Sequence, residues 1–178
     1  LFKSRLFFDL AVYQNKSKNQ IIAIPLDPTS GYSNALINAG LIESKGIELQ
    51  IKGIPILTRK FKWSSTLNWS RNRSYVKELA NGVTSQVIYS HDGNVTIEAR
   101  VGGRMGDLYG RGFQRSPDGQ IIYNSTGLPA TLDVNTKVWG NAFADWKAGW
   151  NNEFHFEKFR VSILFDYQKG GSMFSQTN

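Results

Sequence analysis

The most constraining feature of this chain is a strict two-residue alternation. In FEKFRVSILFDYQKGGS, which runs from Phe156 to Ser172, the row Phe159, Val161, Ile163, Phe165 and Tyr167 is apolar or aromatic throughout. The intervening row is Arg160, Ser162, Leu164, Asp166 and Gln168, polar but for one leucine. A side-chain period of two makes a β-strand with one apolar face and one wet face. The pattern returns along the chain. Leu6, Phe8, Leu10 and Val12 alternate with Phe7, Asp9, Ala11 and Tyr13. Ile47, Leu49 and Ile51 oppose Glu48, Gln50 and Lys52. Phe61, Trp63, Leu67 and Trp69 share a face with the small Ser65, against Thr66, Asn68 and Ser70. Trp146, Ala148, Trp150, Phe154 and Phe156 form a further apolar row. No segment carries a convincing helical period, and no solenoid or propeller repeat is present. The fold class is all-β.

These runs place five main strands at about 4–20, 41–55, 60–78, 145–156 and 159–170. Two connections are short, one around Pro55 to Lys60 and one at Glu157-Lys158, which reads as a tight hairpin. Two are long, at about 21–40 and 79–144. The longer one is punctuated by glycine turns and holds short strand candidates such as SQVIYS and QIIYN. Short and long connections alternate. Antiparallel, up-and-down neighbours therefore put both short turns at one end and both long loops at the other. Outer-membrane barrels have that asymmetry, and soluble up-and-down barrels can share it. Trp63 and Trp69 lie six residues apart on one face, about 20 Å along a strand. That is close to the roughly 25 Å between the aromatic girdles of a membrane barrel. The same residues would also fill the core of a soluble sandwich, so the pattern alone leaves lipid and protein core both open.

Composition removes several function classes. The chain has 178 residues, a formal net charge of +7 and no cysteine. Without cysteine there is no disulfide framework, thiol catalysis or zinc–thiolate site. The basic residues are scattered rather than clustered, and no RNA-binding aromatic signature accompanies them, so nucleic acid is not expected as a partner. No apolar run reaches the roughly 18 residues of a membrane helix, which says nothing about strands of about 9–11 residues. The first residues, LFKSRLFFDL, do not read as a signal peptide. Both ends fall at or beside strands, as in a piece of a longer protein.

Candidate chemistry is sparse. VGGRMGDLYGRG, from Val101 to Gly112, lacks the Gly-Lys-Ser/Thr ending of a phosphate loop and reads as turns. Within and after it Tyr109, Arg111, Phe113 and Arg115 alternate, interleaving aromatics with arginines. Aromatic rings stack on sugars, and arginine binds carboxylates or peptide carbonyls, so these four are the candidate ligand contacts. His91 and His155 are the only histidines, with His155 on the wet face of its strand. Neither has convergent partners spaced for a metal, and no nucleophile motif accompanies His91-Asp92. No catalytic residue, metal or cofactor is expected.

Three longer blocks bear on the choice between lipid and core. They are LFFDLAVYQNKSKNQIIAIPL, SGYSNALINAGLIESKGIELQIKGIPI and FKWSSTLNWSRNRSYVKEL. Together with VGGRMGDLYGRGFQRSPDGQIIYN and the closing FDYQKGGSMFSQTN, they resemble the late barrel region of SusC/RagA-family TonB-dependent outer-membrane transporters. Gly31-Tyr32, Asn38-Ala39-Gly40, Lys45-Gly46-Ile47-Glu48, Phe61-Lys62-Trp63 and Asn68-Trp69 carry the likeness. The resemblance implies antiparallel strands forming part of a transmembrane β-barrel of roughly 22 strands around a plug. It implies that the apolar rows face lipid: Leu6, Phe8, Leu10, Val12, Ile47, Leu49, Ile51, Trp63, Leu67, Trp69, Trp146, Trp150, Phe154, Val161, Ile163 and Phe165. The long connections become extracellular loops. The implied function is import of glycans or oligopeptides, without enzymatic activity, across the outer membrane of a Bacteroidota-type Gram-negative bacterium. The implied partners are a SusD-like surface lipoprotein, outer-membrane lipid and the TonB–ExbB–ExbD complex. The last acts through a plug and TonB box that lie outside this sequence. The rival is a soluble β-sandwich carbohydrate-binding module.

Overall fold

A computed structural model describes residues 5–25, 34–79, 82–91 and 95–175. These residues hold nine strands: β1 Leu6–Pro25, β2 Asn34–Leu57, β3 Phe61–Glu78, β4 Ser85–His91, β5 Val95–Arg100, β6 Asp107–Phe113, β7 Thr131–Asn141, β8 Ala144–Phe156 and β9 Phe159–Gly170. They form two sheets, one of five strands in the order β1-β2-β3-β8-β9 and one of four in the order β4-β5-β6-β7. The chain divides into two compact units. The first holds residues 1–15, 44–73 and 144–171, and the second holds 16–43, 74–143 and 172–178.

In the first unit, β8 pairs antiparallel with both β3 and β9. The tight turns at its end follow from local chemistry. Thr58 closes the β2–β3 turn, its hydroxyl accepting from the Phe61 amide at 2.9 Å. Glu157 turns the β8–β9 hairpin with φ of 50°, the left-handed conformation that a two-residue hairpin asks of its first residue. The Glu157 amide donates to the Lys60 carbonyl at 2.9 Å, and Lys60 Nζ pairs with the Glu157 carboxylate at 2.9 Å. The two short turns therefore lie side by side, as alternating connection lengths require.

The second unit contains every buried apolar side chain among the described residues: Ile42, Val76, Ala99, Leu108 and Tyr109. Its sheet is an antiparallel meander. The glycine-rich turn before β6 pairs with the far end of β3. Val76 donates to the Gly103 carbonyl at 3.0 Å, Gly102 to Val76 at 2.8 Å, and Met105 to Ser74 at 2.9 Å. Gly102 and Gly106 have φ of 86° and 83°, which glycine adopts at no steric cost.

Three expectations change. The connection at 21–40 is mostly strand, because β1 continues to Pro25 and β2 begins at Asn34; only 26–33 of it, like residue 4, lies outside the described residues. Strand pairing overrides the local turn preference of its Ser, Asn and Gly. The connection at 79–144 holds, among its described residues, a whole four-stranded sheet, β4–β7, and the strand candidate SQVIYS lies in β4 as expected. QIIYN is not a strand. It makes two isolated bridges, Arg115 with Ile121 and Tyr123 with Pro129, because Pro117-Asp118-Gly119 and Ser125-Thr126-Gly127 turn the chain too often for a ladder.

Candidate functional site

The register of β3, β8 and β9 builds the first unit's apolar face row by row. Paired residues share a face, so the rows from the tight-turn end are Phe61–Phe156–Phe159, Trp63–Phe154–Val161, Ser65–Asn152–Ile163, Leu67–Trp150–Phe165 and Trp69–Ala148–Tyr167. Rings stack within and between rows. Trp63 and Phe154 lie 5.9 Å apart at 16°, and Trp150 and Phe165 lie 5.8 Å apart. Yet nothing among the described residues of this unit covers the face. Every residue of β9 is exposed, and Leu6, Phe8, Leu10, Val12, Ile47 and Leu67 are exposed as well. Leu49, Ile51, Trp63, Trp69, Trp146 and Phe154 are half-buried by their neighbours within the sheet.

The middle row holds two polar side chains, Ser65, which the alternation already sets on this face, and Asn152, which it did not single out. Ser65 and Asn152 stand opposite each other, and each accepts an indole N–H. Trp150 Nε1 donates to Ser65 Oγ at 2.8 Å, and Trp63 Nε1 to Asn152 Oδ1 at 3.1 Å. Both indoles are thereby satisfied within the sheet.

The opposite face is polar and cross-linked. Gln50 donates to Asn68 at 2.8 Å, Ser162 to Asn151 at 3.1 Å, and Arg160 to Glu153 at 3.0 Å. His155 lies on this face as expected, its Nε2 3.8 Å from the Glu153 carboxylate. An open groove of about 800 Å³ runs along it, lined among others by Asp9, Glu48, Asn68, Lys147, Asp166 and Gln168. Gly46 makes room for the Tyr13 ring, which occupies the space a Cβ would need.

The four candidate ligand residues are not brought together. β6 meets β7 with irregularities after Leu108, Gly110 and Arg111, the extra residues lying on β7, and the four side chains differ in their surroundings. Tyr109 is only 5% exposed, with the Arg100 guanidinium 3.8 Å from its ring centre. Burial, aided by the Asp107 and Glu98 charges and partly offset by Arg100, raises its hydroxyl pKa. Arg115 is exposed and donates to the Gly119 carbonyl at 2.7 Å, closing a turn. Arg111 and Phe113 are exposed. Arg111 borders an open groove of about 600 Å³ with Val95, Leu108, Trp139 and Phe174. Trp139 is half exposed and carries the Lys137 ammonium 3.7 Å from its ring centre. Its signal, the alternating TKVWGN, was present but overshadowed by the glycines before it.

Behind this sheet's surface lies a charged cluster. Glu98 is buried, accepting from Arg100 Nε at 2.7 Å and Thr96 Oγ1 at 2.6 Å. Burial alone would raise its pKa, but those two bonds and the Arg100 charge outweigh it and hold the carboxyl below its ordinary range. Asp107 fixes the turn, accepting from the Arg104 amide at 3.0 Å and Asn141 Nδ2 at 2.8 Å. Among the described residues, no group of three or more His, Asp or Glu side chains could hold a metal ion.

Comparison with known proteins gives the family and the fold. The family of TonB dependent receptor-like β-barrels matches residues 1–163. TonB-dependent receptor P3 of Formosa agariphila is 26% identical over 99% of this chain, and receptor P39 of the same organism is 23% identical over 98%. The chain spans about a fifth of each, 20% and 21%. Among solved structures, the RagAB peptide transporter superposes with a TM-score of 0.74 at 17% identity, covering 95% of this chain and 20% of that one. The RagAB peptide importer in its "closed-closed" state gives 0.71 at 15% identity over 96% of this chain. At such identity the structures establish the fold, a barrel wall in place of a sandwich, while the sequence match over residues 1–163 establishes membership: the chain belongs to the TonB-dependent receptor β-barrel family.

Proposed function

We propose that this chain is a stretch of the wall of an outer-membrane active transporter. The observation that carries this reading is a five-stranded sheet whose aromatic face is covered by nothing in its own unit, while no fully buried apolar side chain lies in that unit among the described residues. A soluble sandwich would bury such a face against a second sheet. A barrel in lipid leaves it outward and satisfies its backbone through inter-strand pairing. On this reading the sixteen-residue set from Leu6 to Phe165 named above faces lipid, and the polar groove faces the lumen.

The protein imports glycans or oligopeptides with a SusD-like surface lipoprotein, energised by TonB–ExbB–ExbD through its plug. RagAB is a peptide importer, which favours oligopeptide among these cargoes. The Formosa relatives favour a Bacteroidota-type outer membrane. Arg111, Phe113 and Trp139 are the exposed ligand contacts, and no enzymatic step is involved. The test is uptake of labelled oligopeptides and oligosaccharides by cells with and without the intact gene. One cargo class should enter only with the gene and only with functional TonB. Uptake that survives loss of TonB, or an intact protein that stays monomeric in water without detergent, would sink the reading.

A further inference from the structure

Above the last aromatic row, the apolar face ends in charge. The β8–β9 register pairs Trp146 with Lys169, so the two share a face. The β3–β8 register runs to Ser70 opposite Lys147, and the alternation then sets Arg71 on the Trp146 side. The next row is therefore Arg71–Trp146–Lys169. The two cations flank an indole that packs on Tyr167, ring centres 5.1 Å apart. Both are exposed, and neither enters an ion pair among the described residues. Arg73, two residues farther along β3, pairs with Asp145 at 3.3 Å. Its buried Nε is the one buried side-chain polar atom among the described residues without a hydrogen-bond partner. Asp145 neutralises Arg73, so the cluster keeps the two charges of Arg71 and Lys169.

Depth gives the cluster its meaning. Ten residues separate the Phe61 row from the Arg71 row, about 34 Å along a strand and about 24 Å along the normal of a barrel tilted by about 45°. That is the height of the apolar band, so the two charges fall at its far edge, level with lipid headgroups. The outer two backbones of the row are two strand spacings, about 10 Å, apart. Two long side chains can converge across that gap over the indole while their stems stay on apolar surface.

We propose that Arg71 and Lys169, with Trp146 between them, bind the phosphate of an anionic lipid whose acyl chains lie on the aromatic rows beneath. Charge complementarity and continuity with the apolar face single out a phosphorylated lipid: the cations supply the headgroup contact, and the rows from Trp69 to Phe61 supply the chain contact. The proposal rests on the barrel-wall reading. Its test uses the intact protein purified in detergent, titrated with a phosphorylated acyl-disaccharide lipid, its dephosphorylated counterpart and inorganic phosphate, with bound lipid counted by native mass spectrometry. Phosphorylated lipid should bind the unaltered protein best, and Arg71→Ser with Lys169→Ser should weaken it by roughly 30-fold. Arg71→Lys with Lys169→Arg should retain it. Lys62→Ser with Lys147→Ser, an equal charge loss on the opposite face, should leave it unchanged. Equal binding of both lipids, an equal loss from the opposite-face pair, or competition by inorganic phosphate at matching concentration would overturn the site while leaving the barrel standing. A protein that takes up neither lipid and needs no detergent would overturn the barrel reading and the site together.

Discussion

Replacing Ile163 by arginine probes the depth assignment directly. Ile163 lies in the third of five apolar rows, four residues from both Phe159 and Tyr167, and is 42% exposed. From Phe159 to Tyr167 the strand runs about 27 Å, or about 19 Å along the membrane normal at a tilt of about 45°. Position 163 is therefore close to the midplane of this face, and position 167 lies one row inside the charged edge at Lys169. An arginine at the midplane of a barrel costs about 2–4 kcal/mol, falling to about 0–1 near the interface. Ile163→Arg should accordingly cost about 2–3 kcal/mol more than Tyr167→Arg, a ratio of roughly 30 to 150 in the folding equilibrium. Leu164→Arg, one residue away on the polar face, should cost less than either. The assay is urea titration of the intact protein refolding into lipid vesicles, followed by tryptophan fluorescence and heat-modifiable gel mobility. Equal costs at 163 and 167, or a greater cost at 164, would refute the assignment of faces and depth.

Asn152→Ala should destabilise by about 1–3 kcal/mol by leaving the Trp63 indole N–H without its acceptor, and a double-mutant cycle with Trp63→Phe should recover much of that loss. Gly46→Ala should cost about 1–3 kcal/mol through collision with the Tyr13 ring, and adding Tyr13→Ser should relieve it in the same refolding titration. The lowered Glu98 pKa makes the four-stranded sheet pH-dependent. Its contribution is fully present above the ordinary carboxylate range and is lost as pH falls through the lower folded pKa. Amide exchange in β5 and β6 should thus accelerate with acid beyond its intrinsic rate. Arg100→Met should remove the lowering and shift that acceleration to higher pH; an unchanged profile would show that Arg100 does not hold the carboxylate.

Much of the first unit was legible because one physical rule, period two, governs it. The rows at Trp63, Leu67, Trp150 and Ile163 follow from spacing alone, since pairing partners inherit each other's face. What spacing could not supply was which medium lies against the face; exposure and the family match are what support the proposal of lipid. The second unit was less legible. Its strands are six to eleven residues long, and the glycines that read as loop punctuation are the turns of a meander. Tyr109 shows the limit most clearly. Alternation groups it with Arg111 and Phe113, yet it alone of the three is buried, with the guanidinium of Arg100 over its ring. No local pattern announces that contact, because Arg100 comes from a different strand, β5.

The glycine-rich turn before β6 also governs the order in which this chain can fold. Joining β3 to β8 brings together residues as far apart as Trp63 and Asn152, 89 positions in sequence. Such non-local pairing is slow, because loop-closure entropy is lost before any ladder forms. Within the meander each strand pairs with its neighbour in sequence. Its turn holds both chain ends that enter it: Met105 donates to the Ser74 carbonyl, and Ala142 to that of Gly106, at 2.9 and 2.8 Å. Once the meander has formed, the loop separating β3 from β8 shrinks from some seventy residues to a handful, worth about 2 kcal/mol of closure entropy. The segment between these strands is thus a kinetic clasp, converting a distant pairing into a hairpin-like one. Lengthening its β6–β7 connection should leave zipping of the wall unaffected, whereas loosening the turn at Arg104 to Gly106 should slow it.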